Sequence, residues 1–89
     1  MTENAAPKKI IMYSTTFCGD CIRAKSFFKK NNVEYINIPL EGNEEAIEFV
    51  MKVNKGYRSV PTIIFPDGSI LVEPSNRELK EKIEALHLE

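Results

Sequence analysis

The sequence predicts an α/β fold, a four-stranded mixed sheet flanked by helices in the order β-α-β-α-β-β-α. Three observations lead there. Short runs of β-formers alternate with segments whose apolar residues recur at helical spacing. Turn and cap signals fall between these segments at Asn31-Asn32, Gly42-Asn43, Asp67-Gly68 and Ser75 to Glu78. Finally, 89 residues with 43% hydrophobic content can fill one modest core, so residues 1–89 are expected to form a single domain, with 1–7 as a flexible tail.

Lys9 to Ser14 is a short apolar run that fits a strand buried on both faces. From about Cys18 to Asn31, Cys21, Ile22, Ala24, Phe27 and Phe28 fall at helical spacings, and Asn31-Asn32 supplies the stop. Val33 to Ile38 alternates apolar and polar residues until Pro39, which predicts a second strand. Asn43 is the N-cap of the next helix, with Glu44 and Glu45 in its first turn, Ile47, Val50 and Met51 on one side, and an end by Gly56. Thr62–Phe65 and Ser69–Val72 are expected to pair antiparallel across Pro66-Asp67-Gly68, because an Asp-Gly pair permits positive φ. Ser75-Asn76-Arg77-Glu78 matches a capping box, followed by the apolar stripe Leu79, Ile83 and Leu86. The first two strands should be parallel neighbours joined by a right-handed crossover.

Charge argues against several function classes. Twelve Lys+Arg against 13 Asp+Glu give a net charge of -1, which does not suit a nucleic-acid binder. The longest apolar run, Val60 to Phe65, is interrupted by Pro61 and falls far short of the ~20 residues that span a bilayer. The polar N-terminus lacks a signal-peptide apolar region, so a cytoplasmic protein is expected.

The two cysteines carry most of the functional information. Cys18 and Cys21 are separated only by Gly19 and Asp20, and a disulfide across so short a loop does little to restrict the unfolded chain. Chemistry is the better reason for them. Half of a zinc site, a ligand pair for an iron-sulfur cluster and a redox dithiol are the three readings. Zinc within one chain wants four ligands, and beyond the pair the sequence offers only His87. The predicted topology puts Cys18 after the first strand and at the start of the first helix, where open α/β sheets place their ligands. Unpaired N–H groups and the helix dipole there are expected to lower a thiol below its free value of about 8.5. Cys18 is expected exposed and Cys21, one turn on, partly buried.

Tyr13-Ser14-Thr15-Thr16-Phe17-Cys18-Gly19-Asp20-Cys21 and the later Ser59-Val60-Pro61-Thr62 resemble the glutaredoxin family of the thioredoxin fold, over essentially residues 8–88. The resemblance implies a cis Pro61 whose loop lies against the active-site sulfurs, with the Val60 backbone open to an extended substrate. Glutathione-using members resemble one another in a Lys at the position of Thr15 and a Gly-Gly-x-Asp segment before the last helix. This sequence has neither: Glu73-Pro74-Ser75-Asn76 stands there instead, with one amide N–H fewer and one negative charge more. The segments 56–62 and 65–69 and the Pro74-Ser75 helix start are similar to mycoredoxins, which act on mixed disulfides with other low-molecular-weight thiols. NrdH-type redoxins, reduced by thioredoxin reductase and serving ribonucleotide reductase, are a second relative, although their aromatic-Ser-Gly-Phe-Arg segment is missing.

On this resemblance the chain is a thiol-disulfide oxidoreductase acting on disulfide-containing client proteins. Its reductant is mycothiol, glutathione or another small thiol, or alternatively thioredoxin reductase. Cys18 would attack and Cys21 would resolve. Phe17, Arg58, Val60 and Pro61 are the candidate substrate contacts, with Arg58 also able to offset Asp20. Gly19 and Asp20 are candidate redox-tuning residues, the Asp20 carboxylate opposing a thiolate on Cys18. Tyr13 reads as core packing. A monomer with no cofactor and no metal is expected. The reading from another class is a dimer bridged by an iron-sulfur cluster, and a zinc-linked dimer is a further one.

Overall fold

A computed structural model describes residues 9–88, and the tail expected over 1–7 lies outside the described residues. Strand β1 (Ile10–Ser14) runs parallel to β2 (Tyr35–Pro39) and antiparallel to β3 (Thr62–Ile64), which pairs antiparallel with β4 (Ile70–Val72). The sheet order is β2-β1-β3-β4. Helices α1 (Gly19–Lys30) and α3 (Asn76–Leu86) cover one face, and α2 (Glu44–Val53) covers the other. The α/β class and mixed four-stranded sheet are those the sequence predicts.

The two faces are unequally filled. Along β1, Ile10, Met12 and Ser14 are buried while Ile11 and Tyr13 are half-buried, so the strand alternates and is not sealed on both sides as expected. Ile10 and Met12 pack with Ile63, Phe65, Ala24, Phe28, Leu79 and Ile83 beneath α1 and α3. On the opposite face Leu40, Ala46 and Val50 form a smaller cluster, joined by Tyr13, Phe49 and Val60. Tyr13 is core packing, its ring 5.1 Å from that of Phe49.

Local chemistry explains the boundaries. Asn43 Oδ1 accepts the Ala46 N–H at 3.1 Å to start α2. At α3 the Glu78 N–H donates to Ser75 Oγ at 3.1 Å and the Ser75 N–H donates to Glu78 Oε1 at 2.8 Å, completing the capping box. The hairpin turns at Gly68, whose φ of +87° costs a glycine little. Pro39, expected to break the second strand, is instead its last residue, which is tolerable because β2 lies at the sheet edge. Among the described residues no helix is long and apolar enough to cross a membrane.

Candidate active site

Cys18 closes the β1–α1 loop in an extended conformation and is the N-cap of α1. Its Sγ accepts the Cys21 N–H at 3.1 Å, the role that a Ser, Thr, Asp or Asn oxygen usually fills. An anionic sulfur accepts such a bond more strongly than a neutral one, and the positive end of α1 acts in the same direction. On its other side the Cys18 thiol faces the Val60 carbonyl oxygen at 3.7 Å. The sulfur is half-buried, less open than the sequence suggested.

Cys21, one turn into α1, is fully buried, deeper than expected. Burial pushes its thiol up to about 12, and the adjacent Cys18 adds to the rise. The Thr15 backbone and the Lys25 ammonium pull the other way. The two sulfurs are therefore placed differently: one at the surface of the helix start with a donated N–H, the other held neutral behind it.

The Val60–Pro61 peptide is cis, as the resemblance implies. Pro61 is buried, and its carbonyl accepts the Glu73 N–H at 2.9 Å, extending the β3–β4 pairing toward the site. Thr62, also buried, donates its hydroxyl to the Ser59 carbonyl at 2.7 Å and accepts from Asn54 Nδ2 at 3.1 Å. These bonds tie the loop carrying Val60 to the end of α2.

The other expected site residues are dispersed. Phe17 is 97% exposed. Arg58 does not offset Asp20: it lines a cleft of about 210 Å³ with Thr15, Leu40, Glu41, Gly42 and Ile47. Asp20 instead accepts from Arg23 at 3.1 Å, because residues three apart on a helix are neighbours and Arg23 is the nearer cation in sequence. Gly19 begins α1 with open space where a Cβ would stand.

Sequence reasoning missed Arg23, Lys25 and Glu41. The Asp20–Arg23 spacing was a readable signal for the first. Glu41 was not readable, since its Oε2 accepts the Thr16 N–H at 2.7 Å across a separation of 25 residues. That bond, with Lys25 nearby, holds the Glu41 carboxyl below its ordinary range.

Comparison with known proteins identifies similar sequences and folds. The glutaredoxin family profile matches residues 10–70. A Mycobacterium tuberculosis protein whose name assigns it to the glutaredoxins is 43% identical over 74 residues, covering 83% of this chain and 88% of the relative. Mycoredoxin 1 of Corynebacterium glutamicum is 38% identical over 78 residues, covering 86% and 95%. Among solved structures, the glutaredoxin from Methanosarcina mazei superposes with a TM-score of 0.70 at 28% identity, covering 84% of this chain and 77% of that one.

Proposed function

The chain belongs to the glutaredoxin family, and on that premise we propose that it is a dithiol oxidoreductase that reduces protein disulfides or mixed disulfides with low-molecular-weight thiols. The observation that carries this reading is Cys18 Sγ, held at the α1 N-cap by the Cys21 N–H at 3.1 Å and set beside the Val60 carbonyl at 3.7 Å.

In the first step the Cys18 thiolate attacks one sulfur of the substrate disulfide. A Cys18–substrate bond forms, the substrate S–S bond breaks, and the departing thiolate takes a proton from solvent. Burial still holds the Cys21 thiol up, but forming the mixed disulfide removes the Cys18 thiol that adds to the rise, while the Thr15 backbone and Lys25 continue to draw it down. Cys21 then loses its proton and attacks Cys18 Sγ. The second substrate thiolate leaves, and two electrons have passed from the dithiol to the substrate. An external reductant returns them.

The Val60 backbone offers an extended substrate segment a hydrogen-bonding edge, and exposed Phe17 offers it an apolar contact. Arg58 suits a carboxylate in the adjacent cleft. We assign the reductant to a small thiol of the mycoredoxin kind. Similarity to a protein named mycoredoxin 1 supports that assignment, as do Thr15 and Glu73-Pro74 in place of the glutathione pattern. The chain acts as one cytoplasmic domain, monomeric and without metal or cofactor.

The test is recovery of the dithiol from oxidised protein with mycothiol, with glutathione, and with NADPH plus thioredoxin reductase. The fastest recovery is expected with mycothiol. Recovery with thioredoxin reductase alone would replace this assignment with an NrdH-type electron donor, and recovery with none of the three would remove the oxidoreductase reading.

A further inference from the structure

A carboxylate inside a dithiol motif raises a physical question. Asp20 lies between Gly19 and Cys21 in the first turn of α1, where free backbone N–H groups attract any anion. One of those groups, the Cys21 N–H, is already donated to Cys18 Sγ. A mobile Asp20 carboxylate would compete with the sulfur for the same turn and repel a thiolate formed there. The structure shows it held elsewhere. Arg23 Nη2 donates to Asp20 Oδ1 at 3.1 Å, while Arg23 Nη1 donates to Asn76 Oδ1 at 2.9 Å. Asn76 is the first residue of α3, on a helix end fixed by the Ser75–Glu78 capping box. The guanidinium thus spans from α1 to α3, and its planar fork lets it bind both oxygens at once.

We propose that Arg23, anchored by Asn76, is a positioning residue for the thiol chemistry, holding the Asp20 carboxylate away from the first-turn N–H groups that serve Cys18. The proposal rests on Cys18 being the attacking thiol. It makes Asn76, 53 residues further along the chain, part of the control of reactivity at Cys18. A surface ion pair adds little to stability, with the Arg23 and Asp20 side chains 36% and 53% exposed, so the expected effect is on reactivity and not on folding.

The experiment is a double-mutant cycle over wild type, Arg23→Gln, Asp20→Asn and the double variant, with Asn76→Ala as a fifth protein. Two quantities are read at neutral pH: the rate at which iodoacetamide, an uncharged reagent, alkylates Cys18, and the dithiol–disulfide equilibrium against a reference dithiol. Arg23→Gln should slow alkylation about threefold and move the equilibrium toward the disulfide by a similar factor, about 14 mV at 29.6 mV per tenfold. In the Asp20→Asn background the same substitution should have less than half that effect, because no carboxylate remains to be positioned. Asn76→Ala should fall between wild type and Arg23→Gln. An Arg23→Gln effect of equal size in both backgrounds, or none in either, overturns the proposal. Alkylation that follows this pattern in a protein unable to reduce any disulfide would instead retain the positioning role and discard the oxidoreductase reading.

Discussion

The two faces of the sheet are built to different depths, and the candidate site straddles them. Beneath α1 and α3 lies a cluster of nine buried residues, whereas beneath α2 there are three, each cluster being supplemented by half-buried neighbours. The helix that carries Cys21 and is capped by Cys18 is anchored in the thicker side through Ala24 and Phe28. The loop that brings Val60 to Cys18 leans on the thinner side, where Val60 packs with the α2 cluster. The helix is thus fixed by burial, while the Val60 loop combines the buried Pro61 and Thr62 with hydrogen bonds that involve Ser59, Asn54 and Glu73.

Substitutions can break this division. The largest effect is expected from Phe28→Ala, which empties the thick core and should cost about 3–5 kcal/mol in chemical denaturation, a large fraction of the stability of a protein of this size. Val50→Ala on the thin side should cost about 2 kcal/mol. It should also weaken substrate recognition, read as a raised KM, with little change in the alkylation rate of Cys18. If Val50→Ala slows alkylation as much as it raises KM, the two regions are not separable.

The buried thiol gives a pH test. Cys21 is raised from an ordinary 9.0 to about 12 in the folded chain, so its burial as a neutral thiol contributes stability that is complete below about 9. Above 9 the unfolded chain ionises first, and the contribution is lost as pH rises toward 12. The Tm of the reduced protein should therefore fall between pH 9 and 12 more steeply than that of Cys21→Ala. Parallel curves would contradict the assigned burial effect.

The smallest change is expected at Gly19. Its site has room for a Cβ, and the chain there is helical, so Gly19→Ala should stabilise α1 by about 0.5–1 kcal/mol in denaturant melts. A loss of stability would mean that the helix start needs glycine for a reason other than space.

The order of elements was legible because the caps are local. Asn43, Ser75–Glu78 and Asp67-Gly68 each mark a boundary with residues at most three apart, and the structure uses all of them. The placement of Cys18 after β1 followed from that order. Contacts between distant segments were not legible. The Thr16–Glu41 and Arg23–Asn76 bonds join residues 25 and 53 apart, and only the folded sheet and packed helices bring them together. Pro39 was misread for the same reason: whether a proline ends a strand depends on whether that strand lies at an edge, which is a property of the sheet. For Arg58 the sequence offers a substrate carboxylate or Asp20 as partner, and in the fold Asp20 is taken by Arg23, three residues along the same helix.

The central claim is that Cys18 attacks and Cys21 resolves, and intact-mass spectrometry of the single-cysteine variants tests it most directly. After exposure to a mixed disulfide of a client peptide, Cys21→Ser should accumulate a covalent adduct on Cys18, whereas Cys18→Ser should remain unmodified because its one thiol is buried and held neutral. An adduct on Cys21 in Cys18→Ser, formed as fast as that on Cys18 in Cys21→Ser, would contradict the account.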